Sequence, residues 1–228
     1  MNMETFERID LTECVDNEGL LTWQAPKGKW KLLSFFLEYN VDSRLDYMDK
    51  EAVDHFISMT YDQYSARFNE FFGKIVKRTF FDDVGYLGNS RYWNAELTAL
   101  FEKRYKKKAV IYYPALWNHI GEETEAARVA LYGLRAELMG EGYPKKVGEW
   151  SERHDLVSMG HPPGNYEPTA VDMYGDPFKF YRYVSVPLMD AIHGYPYGRP
   201  GFKLLSSAAD TYNRPNVAVV IYGYFRAD

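Results

Sequence analysis

Asp82 and Asp83 stand directly after Arg78–Phe81 (RTFF), a short apolar run of strand type. His161 follows Leu156–Gly160 (LVSMG), Asp190 follows Val186–Met189 (VPLM), and Tyr222 closes Asn216–Tyr222 (NVAVVIY). In parallel α/β folds the loops at the carboxyl ends of strands carry the reactive groups. Carboxylates, an imidazole and a ring brought to one mouth suit a polar, ring-shaped substrate such as a sugar. Carboxylates can act as acid and base and can hold hydroxyls, while aromatic faces cover the C–H faces of the ring. Each residue also has a plainer role open to it. The paired aspartates can cap the next segment. His161 can be a satisfied buried histidine ahead of the Pro162-Pro163-Gly164 turn. With 20 Tyr, 14 Phe and 5 Trp in 228 residues, most rings belong to the core and do not mark a site.

Other chemistries find little support. Cys14 is a lone cysteine, and the five histidines contain no pair four residues apart, so neither a disulfide framework nor a zincin-type helix is present. No GxGxxG, P-loop or GxSxG pattern occurs. The net charge of −5 argues against a broad nucleic-acid face. The basic stretch Lys103-Arg104-Tyr105-Lys106-Lys107-Lys108 reads as cations at a helix C-terminus. No apolar run is long enough to span a membrane, and the N-terminal residues lack the apolar core of a signal peptide. If the chain is complete as written, the expected location is the cytoplasm.

The elements that must position the strand-end residues alternate between short apolar strands and amphipathic helices. Leu20–Gln24, Trp30–Tyr39, Arg78–Phe81, Leu156–Gly160, Val186–Met189 and Asn216–Tyr222 read as strands, with Trp30–Tyr39 (WKLLSFFLEY) typical of a strand buried on both faces. Asp49 reads as the N-cap of one helix of about six turns ending at Gly73. Residues 94–107, 122–139, 144–154 and 178–183 follow as helices, and 202–209 mixes strand and helix. This alternation predicts an α/β fold of (β/α)₈ TIM-barrel type. Five or six strands fall short of eight in about 250 residues. The expectation is therefore an incomplete barrel, as a single domain over 1–228: a reduced version, or a fragment of a longer protein. Such a chain should self-associate or need the missing barrel segments. The strands ending at Tyr39, Phe81, Gly160 and Tyr222 are expected as neighbours in one sheet.

Gly160-His161-Pro162-Pro163-Gly164-Asn165-Tyr166 resembles a loop of glycoside hydrolases of the α-L-rhamnosidase type, family 106 and relatives. Four further segments, in the family's order, resemble it as well: residues 20–30 (LLTWQAPKGKW), 79–83 (TFFDD), 186–190 (VPLMD) and 203–210 (KLLSSAAD). The resemblance implies a catalytic barrel inside a longer multidomain protein. It implies hydrolysis of terminal α-L-rhamnosyl or related residues with inversion, carboxylates as acid and base, and a calcium ion near the sugar. On that pattern Asp82, Asp83 and Asp190 are the candidate catalytic residues. His161, Asn165, Tyr166 and Tyr222 are the candidate sugar-binding residues. The sequence departs from the pattern at Val220, where the family usually carries a glutamate. A valine neither gives a proton nor activates water, so the alternative is a non-catalytic carbohydrate-binding or structural barrel fragment.

Overall fold

The computed structural model describes residues 1–37, 45–85, 92–163, 171, 175–191 and 199–221, with Arg199 described by its backbone alone. The chain falls into two compact units, one of residues 1–39 and 95–131 and the other of 40–94 and 132–228. Asn165, Tyr166, Tyr222 and the end of the Trp30–Tyr39 run lie outside the described residues.

The second unit holds a four-stranded parallel sheet. Its strands are β1 (Arg78–Phe81), β2 (Val157–Gly160), β3 (Val186–Asp190) and β4 (Ala218–Val220), and they lie in the sheet in chain order. Arg78 pairs with Val157 and Phe81 with Gly160; Met159 pairs with Val186; Asp190 pairs with Val220. The fold is thus α/β with a parallel sheet.

Seven helices among the described residues connect these strands and the first unit. α1 (Lys50–Met59) and α2 (Tyr61–Phe68) replace the single long helix expected after Asp49. The cap itself is present, with the Asp49 carboxylate accepting from the amides of Glu51 and Ala52. Thr60 interrupts the helix. Its hydroxyl donates to the Phe56 carbonyl at 2.7 Å and its backbone sits at φ −120°, ψ −75°, a case of side-chain competition with the helical ladder. α3 (Ala95–Tyr105), α4 (Thr124–Glu141), α5 (Tyr143–Arg153) and α6 (Pro177–Tyr181) match the amphipathic patterns closely. Residues 202–209, expected as a mixture, lie wholly within α7 (Arg199–Thr211).

One face of the sheet is covered. Thr79 and Phe81 on β1 and Ser158 on β2 are buried on that side, where α5 contributes Val147, Trp150 and Ser151. The Thr79 and Ser151 hydroxyls lie 2.8 Å apart, and Ser151 donates in turn to the Val147 carbonyl. α7 packs Leu205, Ala208 and Ala209 along β3. The opposite face is open at β1 and β2, where Phe80 is 50% and Val157 39% exposed.

In the first unit the Trp30–Tyr39 expectation fails over its described part. Trp30 makes one antiparallel bridge with Asn2, and residues 31–37 join no ladder. Leu32 and Phe36 are exposed, Phe36 by 82%. Leu20–Gln24 likewise contributes one bridge, between Leu21 and Val15. An apolar run reports the wish to be covered, and it does not say by what. The core of this unit gathers Ala115, Ile120 and Ala127, with Met1 and Tyr112 against them.

Candidate functional site

β1 and β2 deliver Asp82 and His161 to the same place because their last residues are partners in register. The loops beyond are knitted together as well. The His161 amide donates to the Phe81 carbonyl at 3.4 Å, and the Val84 amide donates to the His161 carbonyl at 3.3 Å. Gly160 makes this possible, since a Cβ there would overlap the Phe81 ring.

His161 is 1% exposed, and each of its ring nitrogens faces oxygen. Nε2 lies 2.8 Å from Asp82 Oδ1, while Nδ1 lies 3.1 Å from the Pro162 carbonyl and 3.5 Å from Asp83 Oδ1. In the imidazolium form both N–H groups therefore find an acceptor. The Phe80 ring stands edge-on to the imidazole, with centroids 6.5 Å apart. The two aspartates are open to solvent, with side chains 69% and 54% exposed. A buried, oriented base behind two accessible carboxylates is an arrangement that can hold or move a proton at the surface of a cleft.

Asp83 takes φ +46°, a left-handed conformation that aspartate tolerates better than most residues. Burial pushes its carboxyl above the ordinary range. His161 opposes the rise, and the negative charges of Asp82 and Asp190 add to it. Asp190 thus acts electrostatically on Asp83 from the end of β3. In a parallel ladder, partners share a face, so Asp190 and Val220 sit side by side on the face that carries Phe80 and Met159, which is buried at Val186 and Leu188 of β3.

Asp82, Asp83 and His161 each present a ligand atom within 4.8 Å of the others. Among the described residues, these three by themselves do not make up a calcium site. Calcium takes about six to eight oxygens, and here one of three donors is an imidazole nitrogen already directed at a carboxylate. The trio is a carboxylate–imidazole cluster by its chemistry. The sequence pattern marked its members but missed the left-handed turn at Asp83 and the Phe80 edge. The signal for Phe80 was present in the strand's alternation, which puts residues 80 and 82 on one side.

The family model of glycoside hydrolase family 106, alpha-L-rhamnosidase, matches residues 2–192. No curated protein matches the chain. Among solved structures, the rhamnosidase from Novosphingobium sp. PP1Y is similar, with a TM-score of 0.61 and 19% sequence identity over 92% of this chain and 22% of that one. The chain spans about a fifth of that enzyme's length and shares its fold there. No helix among the described residues is long and apolar enough to cross a membrane. With the family model covering most of the sequence from its second residue, the chain belongs to glycoside hydrolase family 106.

Proposed function

We propose that this chain is the barrel portion of a glycosidase that inverts terminal α-L-rhamnosyl or related residues. The observation that carries the reading is the cluster of Asp82, Asp83 and His161 at adjoining strand ends, with Asp190 close enough to act on Asp83. Two features support a barrel arc over an open doubly wound sheet. The strands follow one another in chain order without reversal, and the open face at β1 and β2 is the kind of surface that facing strands fill in a closed barrel.

Inversion requires two carboxyls roughly 6.5–9.5 Å apart, with a water between one of them and the anomeric carbon. Asp82 and Asp83 are too close to serve as that pair, since their donor atoms lie within 4.8 Å. Asp190 is therefore one member of the pair, with Asp82 or Asp83 as the other, and the charge of Asp190 acting on Asp83 favours Asp83. Asp83, its carboxyl raised by partial burial and by the neighbouring carboxylates, is assigned as the acid that gives its proton to the departing glycosidic oxygen. Asp190 takes a proton from the attacking water. Asp82 holds the His161 ring, and the ring's other nitrogen faces Asp83. Asn165, Tyr166 and Tyr222 are assigned to the sugar hydroxyls and ring face. The ligand that the glycosidase family implies is a carbohydrate.

The test is hydrolysis of 4-nitrophenyl α-L-rhamnopyranoside, with the anomer of the released sugar read by NMR. Asp83→Asn and Asp190→Asn should each lower kcat by about 10²–10⁴-fold, and the first-formed sugar should be the β-anomer. Wild-type turnover that survives both substitutions overturns the assignment. A second reading, binding without turnover, is favoured by Val220, which puts a valine beside Asp190 at a position where the family resemblance implies a glutamate. Saturable rhamnoside binding with no release of nitrophenol would establish it.

A further inference from the structure

The first unit contains a groove that the strand-end site does not use. Its volume is about 420 Å³, and Lys31, Leu33, Ser34, Phe35, Trp117 and Asn118 line it. Three features make its chemistry particular. First, Trp117 is 54% exposed although it is among the largest apolar side chains of the unit. It is not loose: its ring stacks on Phe35 with centroids 5.5 Å apart and planes 25° apart, and Phe35 is braced edge-on by Tyr113 at 5.6 Å. The indole is thus held against Phe35 while about half of the residue stays open to solvent. Second, the Asn118 amide is held in place. Its backbone N–H donates to the Pro114 carbonyl at 2.8 Å, its side-chain nitrogen reaches the same carbonyl at 3.4 Å, and its oxygen accepts from Lys31 Nζ at 2.9 Å. Third, Lys31 meets this neutral oxygen, and no carboxylate pairs with its ammonium among the described residues. A positive charge is left at the rim of an aromatic floor.

We propose that this groove binds an acidic sugar, a uronic acid residue of a glycan, independently of the strand-end site. The polarised C–H groups on one face of a pyranose lie against the electron-rich face of an indole, which is why a rigid, exposed tryptophan suits a sugar better than a free apolar chain. Lys31 supplies the counter-charge for the carboxylate, and Asn118 and Ser34 supply hydrogen-bond partners for hydroxyls. The inference takes only the glycan as ligand class from the proposed function.

Titration calorimetry with α-1,4-linked trigalacturonic acid, and with maltotriose as a neutral comparator, tests it on the full chain. Trigalacturonate should bind saturably, more tightly than maltotriose, and the difference should shrink in high salt. Trp117→Ala should weaken binding by about tenfold or more, as loss of an aromatic anchor does. Lys31→Gln should bring the acidic and neutral sugars to equal affinity. Asp83→Asn should leave trigalacturonate binding intact, which separates this site from the proposed catalytic one. The proposal is overturned if no saturable binding occurs, if maltotriose binds as tightly as trigalacturonate, if Trp117→Ala and Lys31→Gln both bind like wild type, or if Asp83→Asn abolishes binding.

Discussion

Asp83 is in tension with its surroundings. Its carboxyl is raised above the unfolded value, so the ionised form is less welcome in the folded chain than in the unfolded one. The linked stability is fully present below the unfolded pKa and is lost as pH rises through the higher folded value. Asp83→Asn removes that loss, and asparagine also accepts the left-handed backbone. The variant should therefore melt higher than wild type at pH 7, with the gain fading towards about pH 3, where both states hold the proton. Equal Tm values at pH 7 would contradict this. Val220→Glu is the reverse experiment. It sets a second carboxylate beside Asp190, so one of the two should keep its proton to higher pH. We expect measurably faster hydrolysis of an aryl α-L-rhamnoside, and a stability cost of roughly 1–3 kcal/mol for a half-buried position. Strong wild-type turnover with Val220 in place would show that no carboxylate is missing there. The candidate residues were legible at this scale, because Asp82-Asp83, His161 and Asp190 stand where apolar strand runs end. The 2.8 Å pairing of His161 with Asp82 was not, because it depends on the register of strands far apart in the chain.

At the scale of elements, pattern and structure agree where an element carries its own partner. α5 shows its apolar face in sequence and buries Val147 and Trp150 accordingly. They disagree where the partner is unspecified. Trp30–Tyr39 is a long, largely apolar run, yet residues 31–37 join no ladder. The break at Thr60 was hidden for another reason: it comes from one hydroxyl bond that no periodicity records. Gly160 is the element-scale residue with the sharpest consequence. A methyl group there would drive into the Phe81 ring and force the ends of β1 and β2 apart. Gly160→Ala should cost about 1–3 kcal/mol, as overpacking does. It should also weaken ligand binding at the Asp82–His161 site more than that loss alone explains. Urea unfolding together with rhamnoside titration would check both, and a variant as stable as wild type would refute the packing argument.

For the whole molecule, the open face of the sheet matters most. Phe80 and Val157 are exposed on one side, and β1 forms an edge of the sheet among the described residues. Exposed apolar surface next to an unpaired strand edge favours association. Light scattering should show a mass that rises with concentration in the micromolar range, and Phe80→Ser should lower it without changing the far-UV spectrum. A concentration-independent monomer would count against an unfilled barrel arc. The sequence could announce a parallel α/β sheet through its alternation of strands and helices, but it could not say which face lay open. That depends on where α5 and α7 pack.

The pairing of β1 with β2 also bears on the order in which the molecule assembles. Met159 finds Val186 across a short connection, whereas Arg78 finds Val157 only after everything from α3 to α5 has been placed between them. Closing the longer loop costs more entropy, and contacts of long sequence separation form late. The β2–β3–β4 portion should therefore gain protection first in pulse-labelled hydrogen exchange during refolding. The amide of His161, which donates to Phe81, should be protected in the last phase. The Asp82–His161 contact would then be among the final events of folding, and the proposed site would report on whether the chain has finished.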